Sequence, residues 1–282
     1  MKINIKTISI IGAFVALSSL AQAQNWTGNV DNNWNNSGNW SGGVPSSSTS
    51  SIYIYDTSND PIITSNARYD SARLNIYSGA SLSIANGATT NFQYFEMNGN
   101  STAYITDDAK FINYYTFRID SNATMHISNG ASVIGSNTAS PSADTYIYGK
   151  LILDGGTFSS QRNTYMYSGS NLEFILSTDS TSQITSRVHL YDSNVILTLD
   201  FDDVSTIVGG ESFEIFGSSI DGGKEFGTIN LATLADGLSW DLSQLYTNGV
   251  VSIAGSIIPE PSTYALIFGV LAFGLAIYRR KK

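Results

Sequence analysis

Short segments in which apolar and polar residues alternate recur through the middle of the chain. Alternation with a period of two is typical of β-strands that bury one face, so Leu82 and Ile84 are expected to point inward and Ser83 outward. Helical periodicity is almost absent before residue 256, and the chain is therefore predicted to be all-β. The clearest segments, each ending in a turn of Asn, Asp or Gly and then a small residue, are residues 74–80, 82–88, 103–109, 125–131 and 151–157.

The spacing of these segments indicates a parallel β-helix, or solenoid. When Ile84, Ile105, Ile127 and Leu153 are aligned as one position, the steps between them are 21, 22 and 26 residues. A period near 20 residues with strand signals throughout is typical of coils that stack strand on strand. A β-sandwich is the alternative, although its turns recur about every 8–12 residues without a shared coil length.

The second half of the chain continues this pattern and is predicted to end in a C-terminal cap. Asn248-Gly249 is a strong hairpin-turn signal between two alternating runs. Trp240 and Leu242 are expected to fill the last coil, so that residues 61–255 form the solenoid with its cap. The further strand candidates are residues 172–176, 188–190, 195–199 and 213–216.

Residues 24–60 form a different segment, in which Trp26, Trp34 and Trp40 stand among Asn, Ser and Gly. Three indoles supply apolar area where little else does, which favours an N-terminal cap over the open end of the β-stack. A sugar-binding face built from Asn and Trp is the alternative. Residues 52–55 are expected to form the first strand.

The N-terminus has the pattern of a secretory signal peptide, predicted over residues 1–23. Lys2 and Lys6 precede an apolar core at residues 8–20, and Ala21-Gln22-Ala23 has the small residues that a signal peptidase requires. Gln24 is then the new N-terminus. An uncleaved anchor is the alternative, and the shortness of the core argues against it.

The C-terminal segment, residues 256–282, has three consecutive parts. Pro259-Glu260-Pro261 cannot form helix, the mostly apolar residues 263–278 follow, and Arg279, Arg280, Lys281 and Lys282 end the chain. The apolar run is predicted to be a transmembrane helix, and the basic cluster is predicted to hold its end in the cytoplasm. A buried terminal helix and a plain tail anchor that nothing cleaves are the alternatives.

This tail closely resembles the PEP-CTERM sorting signal of Gram-negative bacteria that make exopolysaccharide. The resemblance implies that an exosortase, an integral-membrane enzyme, processes the precursor at Pro259-Glu260-Pro261 and passes the protein outward. The opening of the exported part and its ending resemble autotransporter-like PEP-CTERM proteins, which implies a right-handed solenoid. The family's cargo is diverse, so the tail implies a cell-surface or extracellular location and no particular activity.

Charge and composition restrict the partners. Without residues 1–23 and the four terminal basic residues, eight Lys and Arg face 23 Asp and Glu, a surface that repels nucleic acid and anionic lipid. The chain has no cysteine, so no disulfide, thiol nucleophile or cysteine metal site is available. No cofactor motif is present.

The sequence offers no convincing catalytic or metal site. His126 and His189 each alternate within strand patterns, and Asp107-Asp108 and Asp202-Asp203 are expected to face water. No Asp-x-[Asp/Asn]-x-[Asp/Asn]-Gly calcium loop occurs. Two classes of function remain: a non-catalytic structural or adhesive protein associated with exopolysaccharide or biofilm, and a polysaccharide-active solenoid enzyme, a lyase or glycosidase.

Overall fold

The computed structural model describes residues 23–138, 143–218, 220, 221 and 223–255, together with the isolated positions 269, 270 and 279. The described part is almost entirely β-structure. The strands of its first half are β1 (Ala23–Trp26), β2 (Ser51–Ile54), β3 (Ile62–Ile63), β4 (Ala67–Ile76), β5 (Ser81–Ile84), β6 (Thr89–Met97), β7 (Thr102–Ile105), β8 (Lys110–Asn113), β9 (Phe117–Ile119), β10 (Thr124–Ser128), β11 (Ser132–Ile134) and β12 (Thr145–Ile147).

The second half adds as many strands and one short helix, α1 (Leu245–Asn248), while two single 3₁₀ turns lie at Ser37–Asn39 and Val204–Thr206. The strands of this half are β13 (Lys150–Asp154), β14 (Thr157–Ser159), β15 (Thr164–Met166), β16 (Asn171–Leu176), β17 (Gln183–Ile184), β18 (Val188–Leu190), β19 (Ile196–Phe201), β20 (Ser212–Glu214), β21 (Ile220–Asp221), β22 (Thr228–Leu231), β23 (Leu238–Asp241) and β24 (Val250–Gly255).

The strands stack into a β-solenoid of about seven turns, with three strand segments in each coil. Face 1 is the eight-stranded parallel sheet that runs from β3 to β22. The larger sheet forms two further faces, because β4 and β6 are long enough to cross a corner. Face 2 contains the first parts of β4 and β6 with β8, β11, β14 and β17, and face 3 contains β1, β2, the second parts of β4 and β6, β9, β12, β15, β18 and β21.

The alignment predicted from the sequence is confirmed by the strand register. Ile84 pairs with Ile105, Ile105 with Ile127, and Ile127 with Leu153, and all four side chains are fully buried. Leu82 is also buried and Ser83 is half-buried on the outer side. Because every pair within the coils is parallel, the β-sandwich alternative is wrong.

Three details of the strand prediction are corrected. β1 precedes the strand expected to be the first and pairs with it in parallel, from Ala23 beside Ser51 to Trp26 beside Ile54. Residues 74–76 belong to face 3, whereas the other segments grouped with them lie on face 1. The grouping was wrong because a coil passes through three similar strands, and the alternation alone does not distinguish them.

The third correction concerns the predicted Asn248-Gly249 hairpin. β24 does pair antiparallel with β23 and with β20, and this three-stranded sheet closes the C-terminal end of the stack. The connection from β23 to β24 is, however, eight residues long and contains α1. Gly249 ends that helix in the left-handed conformation, with φ 70°, instead of forming a two-residue turn.

The three indoles of the N-terminal segment are buried and pack on one another. The ring centroids of Trp34 and Trp40 are 4.7 Å apart in an edge-to-face arrangement. Each indole N–H donates a 2.7 Å hydrogen bond: Trp26 to the Asn59 carbonyl, Trp34 to the Tyr69 hydroxyl and Trp40 to the Trp34 carbonyl. Rings buried in this way cannot form a sugar-binding face.

Candidate functional site

Outward-facing tyrosines are concentrated on face 3. A Tyr-x-Tyr pattern recurs on its strands, and because side chains alternate, both tyrosines of each pair point away from the core. We call the surface formed by these side chains the tyrosine face. It consists of Tyr53, Tyr55, Tyr77, Tyr146, Tyr148, Tyr165, Tyr167 and Tyr191, with His189 in the place of a ninth tyrosine.

The rings of this face stack along the solenoid axis. The centroids of Tyr148 and Tyr167 are 4.3 Å apart with an interplanar angle of 16°, and those of Tyr55 and Tyr77 are 4.7 Å apart at 5°. Tyr191 continues the first stack, 4.9 Å from Tyr167. Since each ring covers the face of its neighbour, the stacks present ring edges and hydroxyl groups to solvent, and open ring faces remain only at their ends.

A charged band divides the two tyrosine stacks. The Arg118 guanidinium is ion-paired with Asp120, lies 3.9 Å from the Glu96 carboxylate, and sits 4.8 Å from the centroid of Tyr148. Tyr148 is therefore held between a cation and the ring of Tyr167. Such a cation–π contact contributes about 0.5–1 kcal/mol at an exposed site.

Burial raises the pKa of the Tyr167 hydroxyl to about 12, and the neighbouring Tyr148 adds to this rise. Burial likewise raises the pKa values of Tyr77 and Tyr146. These three hydroxyls are thus protonated at neutral pH, so each can both donate and accept a hydrogen bond.

Beside the tyrosine face, the corner that leads from face 3 to face 1 contains a notch. The connection from β12 to β13 has only two residues, Tyr148 and Gly149, whereas the equivalent connections in the coils on either side have four. The short corner leaves a gap of about 500 Å³ between its longer neighbours. The notch is lined by Ser121, Asn122, Ala123, Thr124, Tyr148, Gly149, Lys150, Ser168, Gly169 and Asn171.

Gly149 makes the short corner possible. A Cβ atom at this position would lie 2.3 Å from the Ala123 carbonyl oxygen and 2.4 Å from that of Asp120. Both atoms belong to the backbone of the preceding coil, so neither can move aside cheaply. The notch floor therefore depends on a residue without a side chain.

Six of the ten residues that line the notch carry a hydroxyl or amide side chain, and one cation lies at its edge. Lys150 Nζ lies 2.6 Å from Glu173 Oε2, so its charge is paired. On the adjoining part of face 1, His126 Nε2 lies 3.6 Å from Asp154 Oδ2. The volume is within the range of about 300–1,000 Å³ that is typical of small-ligand sites. This chemistry suits a neutral polyhydroxylated ligand.

A second groove, of about 440 Å³, lies between the loop after β16 and strand β20. Its carboxylate Glu211 accepts hydrogen bonds from the backbone N–H groups of Val208, at 3.1 Å, and Gly209, at 2.8 Å. These bonds hold the loop that enters the C-terminal sheet. Glu211 thus has a structural role, and we consider the corner notch the better candidate.

The structure places the other residues singled out from the sequence on the surface. His126 and His189 are half-buried and face outward from β10 and β18. Asp107 and Asp108 occupy an exposed turn with φ 54° and 59°. Asp202 and Asp203 are also exposed, and Asp203 caps a 3₁₀ turn. Within the described ranges, no group of three or more His, Asp or Glu side chains could hold a metal ion.

The residues predicted to direct export lie largely outside the described part. Ala23 and Gln24 begin β1, and Arg279 is exposed. Among the residues that the structure describes, no helix has the length and apolar character needed to cross a bilayer. The predicted residues outside the described ranges are Ala21, Pro259, Glu260, Pro261, Arg280, Lys281 and Lys282.

Neither the tyrosine face nor the notch was predicted from the sequence. A signal for the face was present, because Tyr146-Ile147-Tyr148 and Tyr165-Met166-Tyr167 repeat a motif 19 residues apart. The notch has no motif. It arises from a difference in length between neighbouring connections, which becomes visible only when the strands are in register.

Fold and site together define a parallel β-solenoid with an aromatic face and a polar corner notch. Residues 25–131 match a family model described as a domain of unknown function (DUF8693). The match covers the tryptophan segment and the coils up to the corner after β10. Comparison with the curated proteins and with the solved structures finds no match.

Proposed function

We propose that this chain is an exported, non-catalytic structural or adhesive protein of the cell surface or extracellular matrix that binds polysaccharide. In this proposal the solenoid coils are right-handed and residues 1–23 are a signal peptide. The C-terminal helix anchors the precursor in the inner membrane of a Gram-negative bacterium. An exosortase then processes the tail at Pro259-Glu260-Pro261.

The corner notch is the observation that carries the proposed binding function. Sugars present hydroxyl groups that both donate and accept hydrogen bonds, and the notch offers matching groups from Ser121, Thr124 and Asn171. The adjoining phenol edges extend this polar surface along the axis. The strongly acidic composition favours a neutral polysaccharide over a polyanion.

Filling the notch tests the proposed binding. Ser168 and Ser78 occupy equivalent Tyr-Ser-Gly corners, but only Ser168 lines the notch. We expect Ser168→Trp to reduce retention of the protein on immobilised exopolysaccharide about tenfold or more, and Ser78→Trp to leave it unchanged. Equal retention of both variants and the unmodified chain contradicts a glycan site in the notch.

The proposed export is tested at both ends of the chain. The mature protein is expected to begin at Gln24 and to lack the residues from about 265 onward, which mass spectrometry of its terminal peptides detects. Glu260→Ala should leave the precursor in the inner membrane. If this variant reaches the surface with its tail removed normally, sorting through the motif is rejected. If the unmodified protein still carries Arg280 at the surface, the tail is a plain anchor.

A polysaccharide-active enzyme is the second candidate, and the side chains beside the notch favour it. The His126–Asp154 and Lys150–Glu173 pairs lie on consecutive strands of face 1 and could supply acid and base groups. Incubation with a polysaccharide panel decides between the candidates. Chain cleavage that Glu173→Gln or Asp154→Asn abolishes establishes the enzyme, whereas binding without cleavage supports the adhesive protein.

A further inference from the structure

Face 3 is partly symmetric along the solenoid axis: Tyr53 and Tyr165 lie equidistant from a charged midpoint, whereas Asn75 and Tyr146, also equidistant from it, differ. One outward row crosses all its strands at successive register partners, and its midpoint lies between Glu96 on β6 and Arg118 on β9. Aromatic side chains stand on both sides of this midpoint. In order along the axis, the row is Asn25, Tyr53, Asn75, Glu96, Arg118, Tyr146, Tyr165 and His189.

The charges next to this row are arranged in the same way. Arg73 is on β4, one strand before Glu96, and Asp144 directly precedes β12, one strand after Arg118. Each lies two residues N-terminal to the member of the row on its own strand. Arg73 packs 4.9 Å from the ring of Tyr94 and forms no ion pair within the described residues. Positions equidistant from the midpoint therefore carry opposite charges, Glu96 against Arg118 and Arg73 against Asp144. Asp144 is largely buried and is also ion-paired with Arg162 of its own chain, at 3.1 Å, so Glu96 and Arg118 form the stronger match.

We propose that two copies of this chain pair through their tyrosine faces, about a two-fold axis that runs parallel to the strands between β6 and β9. A two-fold interface joins the same patch on both subunits, so the patch must be complementary to itself. This pairing depends on the proposed function in one respect only, namely that the protein is a structural component outside the cell.

The two-fold axis brings opposite charges together at the centre of the face and tyrosines together farther out. It sets Glu96 of one copy against Arg118 of the other and Arg73 against Asp144, and each pairing occurs twice. Tyr53 then opposes Tyr165, and Tyr77 opposes Tyr148. Across the three outward rows no like charges meet. A face adapted to a different partner would not need to avoid like charges under this two-fold rotation, so their absence favours pairing with a second copy.

The size and chemistry of the face suit a modest protein interface. The eight strands of the row span seven intervals of about 4.8 Å, and with three rows of side chains they give roughly 600 Å² per copy, or about 1,200 Å² in total, the lower limit for specific association. Tyrosine is enriched in such interfaces. The stacked rings offer few open faces to a sugar ring, which favours a second copy over a glycan on this surface.

Charge reversal on the face provides the first test. The full-length chain, purified in mild detergent because residues 8–20 and 263–278 are mostly apolar, is expected to sediment as a reversible dimer. Arg73→Glu places like charges opposite Asp144 twice and should raise the dimer dissociation constant about tenfold or more. Arg68→Glu, at an exposed arginine of face 2, is the matched control and should leave the constant unchanged.

Cysteine cross-linking provides a second test that does not depend on a change of charge. The chain has no cysteine, and Tyr53 and Tyr165 lie five strands apart within one copy but opposite each other across the two-fold axis. Tyr53→Cys mixed with Tyr165→Cys should cross-link through a short bismaleimide. Neither variant alone should do so.

Three outcomes overturn the pairing: a monomer at the highest concentration reached, cross-linking of either cysteine variant alone, or an unchanged dimer in Arg73→Glu. A monomer in which Arg73→Glu instead lowers polysaccharide retention assigns the face to a glycan. The notch variant Ser168→Trp should leave the dimer intact, so failure of the glycan site and failure of the pairing are distinguishable.

Discussion

At the scale of single residues, the fold depends on columns of buried side chains that repeat from coil to coil. One column on face 1 starts at Ile63 and continues through Ile84, Ile105 and Ile127 to Leu153. Each member is buried by its counterparts in the coils above and below. Burial contributes about 1.5–3 kcal/mol per residue relative to exposure, which supplies stability that a chain without disulfides needs.

A charge in this column should be far more costly than one beside it. Ile105→Asp loses the burial energy and leaves an unpaired carboxylate among apolar side chains, so we expect it to lower the free energy of unfolding by more than about 3 kcal/mol. Ser83→Asp, on the outer side of the neighbouring strand, should change it by less than about 0.5 kcal/mol. Urea unfolding followed by circular dichroism measures both, and similar losses contradict the inward column.

The residue columns were predictable from the sequence because the period of two determines which side chains share a face. Ile84, Ile105 and Ile127 could be aligned since each precedes a similar turn at a similar spacing. Residues 74–80 were grouped with segments that lie on another face, because strands on different faces have the same alternation. β1 could not be predicted, since its pairing with Ser51–Ile54 is a contact between distant segments.

At the scale of elements, the tyrosine stacks are cross-strand pairs extended over several coils. Aromatic pairs on neighbouring strands each contribute about 0.2–1 kcal/mol relative to alanine pairs. Their effect is to reinforce face 3 from outside while the buried columns hold it from inside. Tyr148 and Tyr167 form the tightest of these pairs.

The raised pKa of Tyr167 predicts that stability falls at alkaline pH. Its folded pKa of about 12 exceeds the ordinary value of 10, so the unfolded chain loses this proton first as the pH rises. The contribution is complete below pH 10 and is lost as the pH rises through 12. Tyr167→Phe removes the ionisable group, so its unfolding free energy should decline less over this interval.

Urea midpoints measured between pH 10 and 12 test this prediction. Tyr104→Phe, which removes a hydroxyl from face 1, is the control and should retain the decline of the unmodified chain. If the unfolding free energy of Tyr167→Phe declines between pH 10 and 12 as steeply as that of the control, ionisation of Tyr167 is not the cause of the decline. Ultraviolet absorption of the phenolate reports the ionisation directly.

The ends of the strands and helices show how far the secondary structure could be predicted from the sequence. The strand at residues 172–176 was predicted nearly to its limits, because its apolar side chains alternate. Asn248-Gly249 was misread, since the same two residues that suit a hairpin turn also suit the end of a short helix. The Gly249 carbonyl accepts hydrogen bonds from the backbone N–H groups of Ile215, at 2.9 Å, and Phe216, at 3.1 Å, which ties this position to the segment after β20.

At the scale of the whole molecule, the coils stabilise one another in series and the two ends are protected differently. The tryptophan cluster covers the first end, and the antiparallel sheet of β20, β23 and β24 covers the last. Solenoids generally require such terminal units, because an uncovered coil exposes apolar side chains and unpaired backbone groups.

The DUF8693 match therefore ends at a position where the fold should not end. A fragment of residues 25–131 stops after β10 and leaves Met125 and Ile127 without the coil that covers them. We expect it to self-associate through that open edge, whereas a fragment of residues 23–255 retains its terminal sheet. Sedimentation velocity compares the two, and a monomeric, cooperatively unfolding 25–131 fragment contradicts the need for the later coils.

The notch after β12 shows how this architecture can gain or lose a surface gap of the kind proposed here to bind polysaccharide. Two residues are missing from this corner that the neighbouring coils possess, while the strands on either side of it, β12 and β13, keep their register with the adjacent coils. Small insertions and deletions at corners can thus open, fill or relocate such gaps without altering any core side chain. Selection on the length of a corner, together with a glycine where the corner is shortest, can then change the shape of the surface while the strands stay in place.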